Sequence, residues 1–213
     1  MTVITGFFER YGEMLIRAIF VHIQYVIVSV MIGFVIAMVL GILLSRVPGI
    51  SNYAIPALGI LQTIPGLVFI GVLFIYLGIR PLTIIIALST YAVFPILKNT
   101  YTGIVNVDPA LKEAAKGCGM SNIQILFKVE IPMAMSAIFT GLRMSTIYTV
   151  SWAVLAAMIG LGGLGEFIYR GIDTNNNVLI VGGAIPAAIL AILLGFVIDL
   201  VQKLVTPRGL KGE

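Results

Sequence analysis

Long apolar runs separated by short polar stretches dominate the pattern of this chain. A helix needs about 20 apolar residues to cross the roughly 30 Å hydrocarbon core of a bilayer. Five runs reach or approach that length, at approximately 23–45, 54–77, 82–97, 134–159 and 178–201. The third run is short, and residues 101–104 would extend it. The pattern therefore predicts an all-α polytopic membrane protein with about five transmembrane helices.

Prolines and small residues mark positions inside these runs. Pro56 and Pro65 interrupt the second span. A proline kink in lipid requires neighbouring protein or water to satisfy the freed carbonyl group. Small residues recur in the fourth span, which suits close packing between membrane helices. We therefore expect an interrupted second span and a closely packed fourth span.

The composition argues against a soluble protein and against a nucleic-acid binder. Hydrophobic types make up 60% of the 213 residues, charged types make up 10%, and the mean hydropathy is +1.11. Soluble domains contain about 25% charged residues, and five buried helices would leave too little polar surface to cover them. The net charge is +4, but the basic residues form no cluster of the type that binds nucleic acid.

The basic residues instead indicate which side of the membrane each connection faces. Cytoplasmic loops carry an excess of lysine and arginine. With alternate connections on opposite sides, one side has eight basic residues and the other has four, while Arg143 lies inside the fourth span. The majority side holds Arg46, Lys98, Lys112, Lys116, Lys128, Lys203, Arg208 and Lys211, and the other side holds Arg10, Arg17, Arg80 and Arg170.

This orientation sets the predicted domain organisation in a cell membrane. We expect an extracellular or interfacial N-terminal segment at 1–22 and a membrane domain at 23–205. A cytoplasmic loop lies within that domain at about 106–132, and residues 206–213 form a cytoplasmic tail. The N-terminus is then outside the cell and the C-terminus is in the cytoplasm.

A polar segment with a helical pattern follows the third span. Asp108 followed by Pro109 is typical of a helix start, with a capping side chain and then a proline. Gly117 and Gly119 are predicted to end this helix in a sharp turn, because glycine adopts backbone conformations that other residues avoid. The apolar stripe of the helix consists of Leu111, Ala114, Ala115 and Cys118.

A second short helix is predicted directly after the turn. Ser121 and Gln124 have the spacing of a capping box, and Pro132 is expected to punctuate the apolar helix that follows. The pair of helices is too polar to insert in lipid and too apolar to remain free in water. It could lie on the membrane surface, but the small side chains of Ala114 and Ala115 favour docking into a groove of a partner protein.

Residues 113–132 resemble the EAA loop of ABC importer permeases. The pattern of that family is Glu-Ala-Ala, three residues, Gly, nine residues, an aliphatic residue, one residue, an aliphatic residue and Pro. The seven matching positions are Glu113, Ala114, Ala115, Gly119, Val129, Ile131 and Pro132. The resemblance implies that the first short helix is a coupling helix, which docks in a groove of a separate ATPase subunit. Glu113 is then expected to pair with a basic residue or cap a backbone group of that ATPase.

Other stretches are similar to one branch of this family. Residues 61–69 (LQTIPGLVF), 141–143 (GLR) and 159–172 (IGLGGLGEFIYRGI) resemble permeases for the osmoprotectants glycine betaine, carnitine and choline. Over about 23–205 the five-span layout is similar to that of the small methionine-importer-like permeases, which have the type I fold. The resemblance implies a quaternary amine as cargo. Amino acids, bile acids and ergothioneine-like betaines stay open as alternatives.

The resemblance also implies several partners. A pair of ATPase subunits would bind ATP and Mg²⁺, because this chain has no Gly-Lys dipeptide and so no P-loop. A second copy or a similar permease would complete the path, and an external binding protein would deliver the cargo. A non-transporting membrane anchor is an alternative. An intramembrane enzyme is a weaker alternative, because one Cys and one His provide neither a metal site nor a His-based catalytic pair.

Aromatic residues in the third and fourth spans are candidates for the path. Aromatic faces attract quaternary ammonium groups through cation–π contacts. The more common role of aromatic residues in membrane bundles is packing, and that alternative stays open here. The candidates are Tyr91, Phe94, Tyr148 and Trp152.

A few further residues have individual predictions. Arg143 is expected to have a structural role near the cytoplasmic end, because a buried arginine is costly unless it is paired. Asp199 and Lys203 are four residues apart and are expected to pair. His22 is expected to be an interfacial side chain without a partner. Residues 160–165 (GLGGLG) are expected to form a tight external turn.

Overall fold

The computed structural model describes residues 3–206, and within this range the chain is helical and has no strand. Two short stretches are 3-10 helices, Leu61–Thr63 and Val154–Ile159, and Leu126–Glu130 is a π-helical turn. Of the predicted tail at 206–213, all residues but Thr206 lie outside the described range. The α-helices are α1 (Val3–Ser45), α2 (Pro48–Ile60), α3 (Gly66–Leu77), α4 (Pro81–Val105), α5 (Pro109–Gly117), α6 (Asn122–Ile125), α7 (Ile131–Ala153), α8 (Gly165–Asp173) and α9 (Asn177–Val205).

The described residues contain enough long apolar helices for the predicted membrane bundle. The bent pair formed by α2 and α3 corresponds to the second predicted span, and counting this pair as one span brings the number to five. The prediction of an all-α polytopic membrane protein is confirmed. The four helical segments that are individually long enough to cross a bilayer are Thr5–Ser45, Pro81–Val105, Asn122–Ile159 and Asn177–Val205.

The second apolar run forms two helices rather than one. α2 and α3 meet at an angle of 89°. Pro65 has no N–H group and disfavours a helical conformation of the residue before it. Ile64 is accordingly extended, with φ −70° and ψ 125°. Pro56 lies inside α2 without ending it, so the interruption in this span is due to Pro65.

α1 begins at Val3, whereas the apolar pattern starts the first span at residue 23. Its 43 residues measure about 64 Å at about 1.5 Å per residue. Leu15 and Ala18 near its N-terminal end share a buried cluster with Phe167 of α8 and Leu179 of α9. Farther along, α1 packs against α4. α1 therefore connects the two ends of the bundle.

Small residues allow α1, α4 and α7 to approach one another closely. A Cβ atom added to Gly33 of α1 would lie 2.8 Å from the Ala92 Cβ of α4. A Cβ atom added to Gly103 of α4 would lie 2.9 Å from the Ala137 Cβ of α7. Membrane helices associate through such close backbone contacts because lipid provides little hydrophobic driving force. α4 is thus the central helix, with α1 on one side and α7 on the other.

The chain continues as a helix through Pro132. Residues Asn122–Ile159 form one long helical segment, so the expectation that Pro132 punctuates the second short helix is wrong. Pro132 lies in the first turn of α7, directly after the π-helical turn. Proline donates no backbone hydrogen bond and crowds the preceding turn of a regular helix, and the wider π turn accommodates it. α6 is therefore joined to α7 without an intervening loop.

Candidate functional site

α5 is a short helix that begins as the sequence predicts. The Asp108 carboxylate accepts a hydrogen bond from the Ala110 N–H at 2.8 Å, and Pro109 is the first helical residue. The cap satisfies one of the backbone donors that the start of a helix leaves free. The helix is thus fixed at its N-terminal end by its own sequence.

Most of the predicted apolar stripe of α5 is exposed. Ala115 is buried in the chain's own fold, whereas Leu111, Ala114 and Cys118 are exposed. Glu113 is exposed as well. A small apolar surface beside a carboxylate is therefore available to a partner on this helix.

A Schellman motif ends α5. The Gly119 N–H donates to the Lys116 carbonyl at 2.9 Å, and the Met120 N–H donates to the Ala115 carbonyl at 3.1 Å. This motif places the residue after the helix in the left-handed region, and Gly119 has a φ of +82°. Gly117 is the last residue of α5 and does not have a positive φ. The sharp turn therefore depends on Gly119 and not on both glycines.

The second short helix begins with the predicted capping box. Ser121 Oγ accepts from the Gln124 N–H at 3.3 Å, and Gln124 Oε1 accepts from the Ser121 N–H at 2.8 Å. At the far end of the motif, Val129 is partly buried in the π turn, and Ile131 packs against a cluster that includes Ile104. The last residues of the motif are thus attached to the membrane helices, while the first ones are exposed.

Glu130 forms an ionic contact with two basic residues. Its carboxylate accepts hydrogen bonds from both terminal nitrogens of Arg46, with Nη1 3.1 Å from Oε1. Lys112 Nζ lies 3.8 Å from Glu130 Oε1 and 3.5 Å from the Ile104 carbonyl oxygen. The contact joins the end of α1, the short helix α5 and the π turn. The sequence pattern does not reveal it, because Glu130 occupies the unspecified position between the two aliphatic residues of the motif.

The four aromatic residues proposed for the path do not form one cluster. Tyr91 and Trp152 are stacked, with ring centroids 5.0 Å apart and an interplanar angle of 12°. The Tyr91 hydroxyl donates to the Ile64 carbonyl at 2.7 Å, so this pair packs against the break between α2 and α3. Phe94 lies against α2, and Tyr148 is 48% exposed. A path role for these residues stays a prediction, and the stacked faces of Tyr91 and Trp152 leave no space for a cation between them.

One face of α7 is exposed and mostly polar. Residues three or four apart share a face of a helix, and the exposed residues of α7 have this spacing. Thr140 Oγ1 donates to the Ser136 carbonyl at 2.9 Å, so its hydroxyl needs no external partner. A cleft of about 640 Å³ between α4 and α7 adjoins this face and is also lined by Asn99 and Asn106. The exposed residues on this face are Met133, Ser136, Thr140, Arg143, Met144, Tyr148 and Ser151.

His22 joins three elements at the opposite end of the bundle. Its Nε2 lies 3.1 Å from the Val150 carbonyl oxygen, and its Nδ1 accepts from the Leu164 N–H at 3.3 Å. A neutral ring with Nδ1 as acceptor carries its proton on Nε2 and donates it to Val150. His22 is fully buried, so the expectation of an interfacial side chain without a partner is wrong. The early start of α1 places this residue inside the bundle.

The predicted tight turn follows α7. Gly160, Gly162 and Gly163 have φ values of +76°, +78° and +92°. The Tyr25 hydroxyl of α1 donates to the Leu161 carbonyl at 3.0 Å, which attaches the turn to the first helix. α1 therefore contacts this turn at one end of the bundle, and Arg46 at its other end contacts Glu130 of the π turn.

An ion pair joins α7 and α9. Arg143 Nη1 lies 3.5 Å from Asp199 Oδ2, and both side chains are partly exposed. The predicted partner of Asp199 was Lys203, one turn later on the same helix, and that prediction is wrong. The carboxylate instead reaches Arg143 on the neighbouring helix, and a structural role for this half-exposed arginine stays a prediction.

Known proteins with similar sequences are transport permeases. The carnitine transport permease protein OpuCB of Listeria monocytogenes is 39% identical over 211 residues, which cover 99% of this chain and 97% of the relative. The glycine betaine/carnitine/choline transport system permease protein OpuCB of Bacillus subtilis is 40% identical over 191 residues, which cover 90% of this chain and 88% of the relative. The choline transport system permease protein OpuBB of the same organism is 38% identical over 208 residues, 98% of this chain and 96% of the relative.

Solved structures share the fold. Two crystal forms of the MetNI methionine ABC transporter contain chains with TM-scores of 0.80 and 0.81 and identities of 22% and 24%. The matches cover 97% and 93% of this chain and 100% and 99% of those chains. The type I importer permease fold is thus confirmed.

Residues 29–210 match the family described as the inner membrane component of binding-protein-dependent transport systems. The chain therefore belongs to this family, which comprises the permease subunits of ABC importers.

Proposed function

We propose that this chain forms the membrane path of an ATP-driven importer for a quaternary ammonium osmoprotectant of the glycine betaine, carnitine or choline type. The observation that carries the proposal is the capped helix α5, whose Glu113 and Ala114 are exposed at one end of a membrane bundle. The 39% identity to a carnitine permease over nearly the full chain supports the cargo class. A membrane bundle with a free docking helix suits energy input from a separate protein.

The partner at α5 is a pair of ATPase subunits, which bind ATP and Mg²⁺. Ala114 and Leu111 provide apolar contact, and Glu113 pairs with a basic residue or caps a backbone group in the ATPase groove. Closure of the ATPase pair on ATP moves the two coupling helices of the assembly together. Because α6, the π turn and α7 form one continuous helical segment, a displacement of the loop acts directly on α7.

The end of the bundle that carries α5 faces the cytoplasm. Arg46, Lys112, Lys116 and Lys128 lie at this end, as the contact between the end of α1 and the coupling loop indicates. An excess of basic residues marks the cytoplasmic side of a membrane protein. The N-terminal end of α1 and the turn at 160–165 then face outward. An external binding protein delivers the cargo on that side.

The polar face of α7 lines the path. A lipid-facing helix surface is apolar, whereas hydroxyl and amide groups suit a surface in contact with water and solute. Tyr148 on this face offers an aromatic ring to a quaternary ammonium group, and Ser136 and Thr140 lie closer to the cytoplasmic end. A second copy of the chain, or a similar permease, closes the other side of the path.

The test is reconstitution of the permease in proteoliposomes with an ATPase and a binding protein from the same cells. Uptake of radiolabelled glycine betaine, carnitine, choline and methionine is measured with and without internal ATP. We expect ATP-dependent uptake of at least one quaternary amine, and none when the binding protein is omitted. The neutral analogue 3,3-dimethylbutanol has the shape of choline without its charge and should not compete.

Two outcomes would contradict the proposal at different levels. ATP-dependent uptake of methionine without any uptake of a quaternary amine would refute the cargo but keep the permease role. Absence of ATP-dependent uptake of every tested solute, in a complex that assembles, would favour a membrane anchor.

A further inference from the structure

We propose that Glu130 is a positioning residue that links the coupling helix α5 to the end of α1. A movement imposed on α5 would then reach α1 as well as α7. The proposal rests on the proposed function, because the imposed movement is that of the ATPase. The side chains of Arg46, Lys112 and Glu130 are called the clasp below.

The clasp contains the one buried carboxylate among residues 3–206. The Glu130 side chain is 3% exposed, whereas that of Arg46 is 43% exposed. A carboxylate in such a site is strongly unfavourable unless it is paired. A buried ion pair adds little net stability compared with apolar residues of similar volume, and its best-attested use is to fix the relative position of structural elements. The burial of Glu130 therefore favours a linking role over a purely stabilising one.

The coupling helix has few other anchors. Within α5, all of which the structure describes, Ala115 alone is buried. Lys112 points back into the bundle, where its Nζ reaches both Glu130 and the carbonyl of Ile104. A helix held by one small apolar residue and one lysine can shift easily under force, so the direction of its movement depends on the clasp.

The other half of the clasp leads to α1. Arg46 directly follows the last residue of α1 and binds Glu130 with both of its terminal nitrogens. α1 runs to the opposite end of the bundle, where His22 accepts from Leu164 and Tyr25 donates to Leu161 in the glycine-rich turn. The clasp thus begins a continuous physical connection from the coupling helix to the far side of the bundle.

The test compares Glu130→Gln, Arg46→Gln and the double variant with the wild type in the reconstituted complex. The measurement is the factor by which the binding protein stimulates ATP hydrolysis when it is loaded with the quaternary amine, glycine betaine, carnitine or choline, that the wild-type complex takes up. We expect each single variant to assemble. Its stimulation factor should be about fivefold or more lower than that of the wild type, which is a typical size for coupling between sites. Arg46→Lys keeps the charge and should retain more stimulation than Arg46→Gln.

The double variant separates coupling from stability. It buries no unpaired carboxylate, so its thermal stability should exceed that of Arg46→Gln, while its stimulation should remain low. Lys128→Gln is the matched control. It removes a positive charge from the same π turn, from an exposed side chain without an ion-pair partner among the described residues. This control should retain the stimulation of the wild type.

Wild-type stimulation in an assembled Glu130→Gln complex, or its recovery in the double variant, would overturn the proposal. If Glu130→Gln does not assemble, Arg46→Gln decides by the same criterion, because Lys112 stays beside the buried carboxylate in that variant and limits its loss of stability. Hydrogen exchange of residues 109–117 in the purified permease provides a readout that needs no transport. The clasp predicts faster exchange there in Glu130→Gln, and unchanged exchange would overturn it. Faster exchange in a permease whose wild type shows no uptake would refute the proposed function and leave the clasp standing.

Discussion

Gly119 determines the direction in which the chain leaves α5. Its φ of +82° lies in the left-handed region, where a side chain with a Cβ atom costs roughly 1–2 kcal/mol. We expect Gly119→Val to misplace α5 relative to α6, and therefore to weaken ATPase association and substrate-stimulated uptake. Gly119→Asn is the matched control, because asparagine tolerates this conformation better than other residues. Pull-down of the ATPase and uptake assays measure the difference. Equal behaviour of the valine and asparagine variants would show that the turn is not critical.

Local signals made several contacts in the segment from α5 to α6 predictable. Asp108 caps a donor two residues away, and Ser121 and Gln124 bond each other across three residues, so short sequence patterns encode these contacts. The partners of Glu130 and His22 could not be predicted in the same way. Arg46 is 84 residues from Glu130 in the chain, and Val150 is 128 residues from His22. No local pattern specifies a pairing across such separations.

At the scale of elements, the break between α2 and α3 is the clearest departure from a regular bundle. One backbone group of the break is satisfied by α4, since the Tyr91 hydroxyl donates to the Ile64 carbonyl, and the Gln62 side chain of the break donates in turn to the Tyr91 carbonyl. A Cβ atom added to Gly66 would overlap the Trp152 ring. The break is therefore held by close packing as well as by the proline.

Gly66→Ala should destabilise the protein through this overlap. Overpacking costs typically about 1–3 kcal/mol, which corresponds to a decrease in melting temperature of about 2–12 °C for a chain of this size. Gly71→Ala in the same helix is the matched control, because an added Cβ there has no neighbour within 4 Å. Thermal unfolding in detergent measures both variants. Equal melting temperatures for the two would contradict the close packing at Gly66.

The apolar pattern predicted which segments form the membrane helices but not where all of them begin or bend. Hydrophobic runs locate the interior of a span, and the third, fourth and fifth spans lie within or across the described helices α4, α7 and α9. The first 20 or so residues of α1 were missed because their polar positions interrupt the run. At Pro65 and Pro132 the same residue type has opposite outcomes, since one ends a helix and the other lies inside a long helical segment. Tertiary packing decides between these outcomes, and the local sequence does not.

At the scale of the whole molecule, α1 ties the two ends of the bundle together. Its length of about 64 Å exceeds the roughly 30 Å core of a bilayer, so part of it extends beyond the hydrocarbon. One end contacts Glu130 of the coupling loop through Arg46, and the other packs against α8 and α9 through Leu15 and Ala18. A tilt of this helix would therefore displace contacts on both sides of the membrane.

The proposed orientation can be tested with the single cysteine of the chain. Cys118 is exposed in the turn after α5. A membrane-impermeant maleimide should label it in inside-out vesicles and not in intact cells, because the proposed orientation places this turn in the cytoplasm. Bound ATPase should slow the labelling, since its groove would cover the same end of α5. Labelling is quantified by the mass shift of the purified chain.

A second cysteine reports the opposite side in the same assay. Thr174 is exposed between α8 and α9, at the end of the bundle that holds the glycine-rich turn. Thr174→Cys in a Cys118→Ser background should therefore react in intact cells, and the ATPase should not protect it. The two positions use the same reagent and chain, so a difference in labelling reports sidedness rather than reactivity. Labelling of Cys118 in intact cells together with protection of residue 174 would reverse the orientation and remove the ATPase from α5.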